Sequence, residues 1–175
     1  MTTGSYRTID PCTLTAEEVA ILDPPPVPPM VEWAEENLIL PKKETRLAGL
    51  MNFDFSPWMR DLCNWFADPD VREITLLGPL QFGKTLFISA CLAYAIRWMP
   101  MPTMLVMANH QSLNKRMKRL RALFEANEFL MDQLDGSIKN LNIGEATELK
   151  DLLLVLAWVT SDAALAESPE GIIFA

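Results

Sequence analysis

The chain has 175 residues, half of them hydrophobic, with eight Phe, five Trp and a formal net charge of −8. That length holds one domain, or one domain with an arm, and that apolar content supplies a real core. The net acidity argues against a dedicated DNA-binding domain. The most apolar stretch, residues 86–96, falls short of the roughly 20 residues a membrane span requires, and residues 1–10 lack the apolar core of a secretion signal.

In chain order, residues 1–30 read as an arm. Thr15 with Glu18 forms a capping-box pair, which predicts a short helix over 13–22. Residues 23–30 hold five prolines in eight positions, which predicts an extended polyproline run. A helix is expected over 30–37 with Trp33 on its apolar side, then an irregular segment over 38–55 with a turn at 52–54. Ser56 followed by Pro57 marks the start of a helix to residue 66, because proline is best tolerated in the first turn. Within it Trp58, Leu62, Trp65 and Phe66 recur at helical spacing. Residues 74–77, Ile-Thr-Leu-Leu, read as a strand, and residues 86–98 as an apolar helix ended by Pro100 and Pro102. Residues 103–108 have the length and content of a buried parallel strand. Ser112 is expected to cap a helix running to about Asn127. The stretch 129–150 is less regular, with short strands or turns. Residues 152–158 are a second buried strand, 161–167 a short helix and 171–175 a last strand. Strands alternating with helices predict an α/β fold with a mostly parallel sheet flanked by helices.

Between the strand at 74–77 and the helix from 86 lies Gly78-Pro79-Leu80-Gln81-Phe82-Gly83-Lys84-Thr85, which fits the phosphate-loop pattern G-x-x-x-x-G-K-[ST] at every fixed position. A loop turning from a strand into a helix presents a row of main-chain N–H groups and the positive end of the helix dipole to an anion. Gly78 and Gly83 permit close backbone approach. Lys84 reaches the β- and γ-phosphates as a point charge, and the Thr85 hydroxyl is a magnesium ligand. At average glycine usage a chance match in this length has a probability on the order of 10⁻². ATP and Mg are therefore the expected ligands.

A second feature is a basic cluster. Lys115, Arg116, Lys118, Arg119 and Arg121 place five cations in seven residues with no acid among them. They are either a solvated helix face or salt-sensitive, sequence-blind contacts to nucleic-acid phosphates, and five in seven cover too much of the circumference for all to face one ligand. Trp58 and Trp65 are expected in the core, although either could stack on a base. The three cysteines, Cys12, Cys63 and Cys91, show no C-x-x-C spacing and suit a reduced compartment. The single histidine, His110, has no Cys or His nearby and reads as a surface or cap residue rather than a zinc ligand.

From about Trp33 to Ala175 the chain resembles the ATPase half of the lambda-type phage terminase large subunit, the GpA family. Trp33-x-Glu35-x-Asn37-Leu38 is similar to that family's opening block. Ser56-Pro57-Trp58-x-Arg60 falls where the family has a proline–tyrosine pair and an arginine. Asp68-Pro69-x-Val71 and Gln81-x-Gly83-Lys84-Thr85 match its habitual runs, as do Leu105-Val106 followed by Arg119-Leu120. Residues 152–158 with Ser161, Leu165, Ser168 and Pro169 resemble the approach to the Walker B strand. The departures are Trp58 for tyrosine, Gly78 where Ser or Ala is usual, Asn109 near a usual proline, and no Arg or Lys between Gly78 and Gly83.

The resemblance implies a P-loop NTPase that hydrolyses ATP to drive double-stranded DNA into a procapsid. It implies a bacteriophage or prophage protein working in the host cytoplasm as an oligomer, with a small terminase subunit and a portal protein and without a membrane. It makes Trp58 and Arg60 candidates for adenine contact and the cluster at 115–121 a candidate for DNA contact. The expected organisation is a Pro-rich arm over 1–30 and a partial ATPase domain over 31–175. The Walker B acids, the catalytic Glu and the nuclease are expected beyond Ala175, so this stretch should bind nucleotide better than it hydrolyses it. The alternatives are a non-catalytic nucleotide-binding remnant and another nucleic-acid motor of helicase type.

Overall fold

The computed structural model describes residues 26–42, 48–79, 81–134, 138–141, 146–159 and 171–175. The helices expected over 13–22 and 161–167 lie outside the described residues, as does Cys12.

The fold is α/β with a mixed sheet. Helix α1 (Met30–Asn37) buries Met30, Val31, Trp33 and Ala34. A two-stranded antiparallel ribbon follows, β1 (Ile39–Leu40) with β2 (Gly49–Leu50). A 3₁₀ turn at Phe53–Phe55 is capped by Asn52, whose side chain accepts from the Asp54 amide at 2.7 Å. Helix α2 spans Trp58–Ala67, and Pro57 before it already has helical dihedrals (φ −58°, ψ −29°), as its expected place in the first turn requires. Helix α3 (Lys84–Trp98) is apolar around its whole circumference and is buried from Ser89 through Ile96. It packs against α1, α2 and the later helix α5 (Glu128–Gln133).

Strand β3 (Thr103–Met107) leads to α4 (His110–Ala126), which lies against β3 and β5 (Leu153–Trp158). The main sheet has the order β4-β5-β3-β6, with β4 at Ala146–Glu148 and β6 at Ile172–Phe174. β5, β3 and β6 run parallel, with Thr103 beside Leu154 on one side and Ile172 on the other. β4 is antiparallel to β5, so the parallel sheet carries one antiparallel edge.

Several expectations are corrected. Residues 74–77 form no strand. Ile74 and Leu76 are half-buried against the core, but Leu77 is 90 % exposed. A strand exists through its ladder, and among the described residues no strand pairs with this segment. The cap of α4 is Asn109, not Ser112: its Oδ1 accepts from the Ser112 amide at 2.8 Å. Trp65 leaves the core and is half exposed, while Met59, Leu62 and Cys63 form the buried face of α2. Ahead of α1, Tyr94 donates its hydroxyl to the Pro28 carbonyl at 2.8 Å, and Met30 is fully buried. No helix among the described residues is long and apolar enough to cross a membrane.

Candidate nucleotide-binding site

The octapeptide at 78–85 enters α3 through two left-handed residues. Gln81 has φ +63° and Gly83 has φ +86° with ψ 8°. The second position explains its glycine, since an L side chain there costs about 1–2 kcal/mol. Hydrogen bonding across the helix start includes Phe87 N donating to Gly83 O at 3.0 Å. The first amides of an α-helix have no carbonyl within the helix to bond, which is why a helix start can receive an anion.

Lys84 folds back over the loop. Its ammonium donates to the carbonyls of Gly78 and Pro79, each at 2.7 Å. Thr85 is exposed on the first turn, one residue on. Phe82 stacks face to face on Trp58, with ring centroids 4.0 Å apart and an interplanar angle of 10°. The Gly78 α-carbon lies against the same ring, and a Cβ there would sit 2.8 Å from Phe82 Cδ1. Both glycines therefore have a local physical reason. Leu80 lies outside the described residues.

Two cavities border the start of α3. One of about 360 Å³ is lined by Leu40, Leu50, Met51, Phe55, Met59 and Leu86, among others. The other, of about 600 Å³, lies between Lys84, Phe87 and Ile88 of α3, residues 71–76 and β6. The residue types present are those that would hold a nucleotide's phosphates: a glycine turn, an ammonium bonded to it and an exposed hydroxyl for a divalent cation. Among the described residues no three His, Cys, Asp or Glu side chains come together.

The other expected site residues separate. Trp58 is half-buried, with one ring face taken by Phe82. Arg60 is committed elsewhere: its Nη2 bonds Glu35 Oε1 at 2.9 Å and Asp54 Oδ1 at 3.0 Å. Glu35 Oε1 also accepts from the Phe53 amide at 3.0 Å. This knot ties α1, the 3₁₀ turn and α2 together through Arg60. Within the basic cluster, Lys115, Lys118 and Arg119 are exposed on α4, and among the described residues none of the three is ion-paired. Arg121 is exposed but donates to the Leu141 carbonyl at 3.0 Å. Arg116 is the exception. It is buried and donates to Ser89 Oγ of α3 at 3.0 Å, so it is withdrawn from any surface that could meet DNA. His110 opens α4, exposed, with its ring edge-to-face on Trp158 at 5.0 Å.

Sequence reasoning passed over three of these features. The Phe82–Trp58 stack joins residues far apart in sequence and leaves no local pattern. The Arg116–Ser89 bond was hidden because a charge run reads as solvated. The Asn109 cap was legible as Asn109-x-x-Ser112 and was assigned to the wrong end of that run.

Among the curated proteins and the solved structures, none matches the chain. A family model described as "Phage terminase large subunit gpA, ATPase domain" matches residues 45–175, well over half of the chain and the whole loop and basic helix within it. The chain belongs to the family of phage terminase large subunit gpA ATPase domains.

Proposed function

We propose that this chain is the ATP-binding motor module of a viral DNA-packaging terminase, with the octapeptide at 78–85 as its phosphate cradle. The single observation that carries the reading is that loop. A run fitting G-x-x-x-x-G-K-T turns into a buried helix through left-handed Gln81 and Gly83, with the Lys84 ammonium poised over it. Family membership supports ATPase chemistry in general and a packaging motor as its setting.

In this reading the domain is P-loop NTPase-like and follows a Pro-rich arm. Main-chain amides at 78–85 hold the triphosphate, Lys84 moves from the Gly78 and Pro79 carbonyls onto the β- and γ-phosphates, and Thr85 supplies a hydroxyl to Mg. Bound magnesium neutralises charge on the phosphates. The base lies toward Trp58, which already stacks on Phe82. Lys115, Lys118 and Arg119 contact the backbone of double-stranded DNA, with Arg121 at the margin. The working motor is an oligomer with a small terminase subunit and a portal protein, in the host cytoplasm.

The test is calorimetric titration of the chain with ATP and Mg, followed by ATP turnover with and without linear duplex DNA. Binding with DNA-stimulated turnover supports the motor. Binding without turnover, both in this chain and in a version extended past residue 175, supports a nucleotide-binding remnant, and absence of binding removes the reading altogether.

A further inference from the structure

Arg116 is 5 % exposed, while Lys115 and Lys118 on either side of it face solvent. Its Nη2 donates to Ser89 Oγ at 3.0 Å. Ser89 is fully buried in α3, and its hydroxyl donates in turn to the Thr85 carbonyl at 3.0 Å. A serine hydroxyl has one proton to give and lone pairs to receive. Accepting from a guanidinium polarises that O–H toward the carbonyl, so the two bonds strengthen one another. The path starts on α4, crosses to α3, and ends on the residue after Lys84.

The geometry of this path is restrictive. A guanidinium is a rigid planar fork, and a close-packed interior resists small displacements of it. A shift or rotation of α4 that moves Arg116 must therefore move Ser89 or break the bond to it. The Ser89 hydroxyl bonds back one turn along its own helix, an interaction that bends helices slightly when it changes. Thr85 stands on the first turn of α3, where the phosphate cradle joins the helix, so a change in that turn changes where its hydroxyl and the Lys84 stem are held.

We infer that Arg116 is a positioning residue that couples the exposed cations of α4 to Thr85 through Ser89. Duplex DNA on α4 and ATP with Mg on the loop then alter each other's affinity, reciprocally, as linkage requires. The inference rests on the nucleotide and DNA reading above.

The test measures ATP–Mg affinity of the whole chain, with and without a short blunt-ended DNA duplex, for wild type, Ser89→Ala and Ser89→Thr, with a melting temperature for each. In wild type the duplex changes the affinity by about fivefold or more, within the usual range of allosteric coupling. Ser89→Ala, which suits a helix interior, still binds ATP and DNA but loses the coupling. Ser89→Thr restores the hydroxyl and the coupling with it. A merely structural role lowers the melting temperature and leaves the coupling intact. Wild-type coupling in folded Ser89→Ala overturns the inference, as does a folded Ser89→Thr that stays uncoupled. Wild type that binds both ligands without coupling overturns this inference and leaves the proposed function standing, whereas wild type that binds neither overturns both.

Discussion

Lys84→Met separates the two tasks of the loop lysine. Methionine keeps most of the stem and the helix propensity. What it removes is an ammonium 2.7 Å from each of the Gly78 and Pro79 carbonyls. Both bonds lie at the surface, where water competes for every partner, so removing both lowers stability by no more than about 1–2 kcal/mol. Against a typical margin of about 5–15 kcal/mol the variant stays folded. Binding is affected differently. To hold a phosphate the ammonium must first leave the two carbonyls, so its net contribution is a difference. A close charge–phosphate interaction worth about 3–5 kcal/mol, less two solvated bonds of about 1 kcal/mol each, leaves about 1–3 kcal/mol. At 1.4 kcal/mol per decade that is a loss of roughly 5- to 140-fold in ATP–Mg affinity. Calorimetry gives the affinity and thermal denaturation the stability. Lys84→Met that binds within about threefold of wild type refutes the phosphate role of the loop. A variant that unfolds refutes the claim that the ammonium is dispensable to the fold.

Three further outcomes follow from the packing. Asn127 is 2 % exposed; its Oδ1 accepts from Ile39 N, and its Nδ2 donates to Ile39 O and Leu123 O, at 2.8, 2.9 and 2.7 Å. Asn127→Ala leaves those groups unpaired and should cost about 2–4 kcal/mol in urea denaturation; a change under about 1 kcal/mol counts against the clamp. Burial pushes the Cys63 thiol from 9.0 up to about 12 and holds Cys91 well above 9.0, with the neighbouring Cys63 adding to the shift. The unfolded thiols ionise first, so stability is full below about pH 9 and falls as pH rises toward 12, by up to about 1.4 kcal/mol per unit per thiol. Denaturation midpoints that stay level between about pH 8 and about pH 10.5, in the presence of reductant, contradict this. Replacing Lys115, Lys118 and Arg119 with alanine should weaken binding to all duplex sequences alike and lower the salt slope by about one for each phosphate no longer neutralised. An unchanged slope places DNA elsewhere.

Elements whose signal is local were legible in the sequence. The apolar run at 86–98 gave α3 within two residues, and 103–108 and 152–158 gave β3 and β5 within one. Pro57 marked the start of α2 because its fixed φ suits only that place. Elements that depend on a distant partner were not legible. Ile-Thr-Leu-Leu at 74–77 has strand composition, but composition does not supply a ladder, and β propensity reports packing context more than backbone preference. The periodicity of Trp58, Leu62, Trp65 and Phe66 was real, yet it did not settle which arc faces inward. Met59 and Cys63, one step round the helix, took the core, and Trp65 was turned out. Likewise the run at 115–121 fixed the charges and their helix but not the burial of Arg116, which requires knowing that Ser89 stands opposite.

The shape of the loop depends on what packs on either side of it. On the C-terminal side it is fixed by α3, whose burial from Ser89 to Ile96 leaves little freedom at Lys84. On the N-terminal side no strand among the described residues holds 74–77. There the restraint comes from side chains: Ile74 and Leu76 against the core, Phe82 on Trp58 and over Gly78, and the Lys84 ammonium on the Gly78 and Pro79 carbonyls. Under the proposed function the last of these is the interaction a triphosphate would replace, since the same ammonium cannot serve both. Without it the loop is still held to α2 by the Phe82–Trp58 stack and by the close approach of Gly83 to Met59. Phe82 therefore matters most when Lys84 has turned to its ligand. The G-x-x-x-x-G-K-T pattern leaves that position open, but its aromatic side chain fixes the cradle to the body of the domain.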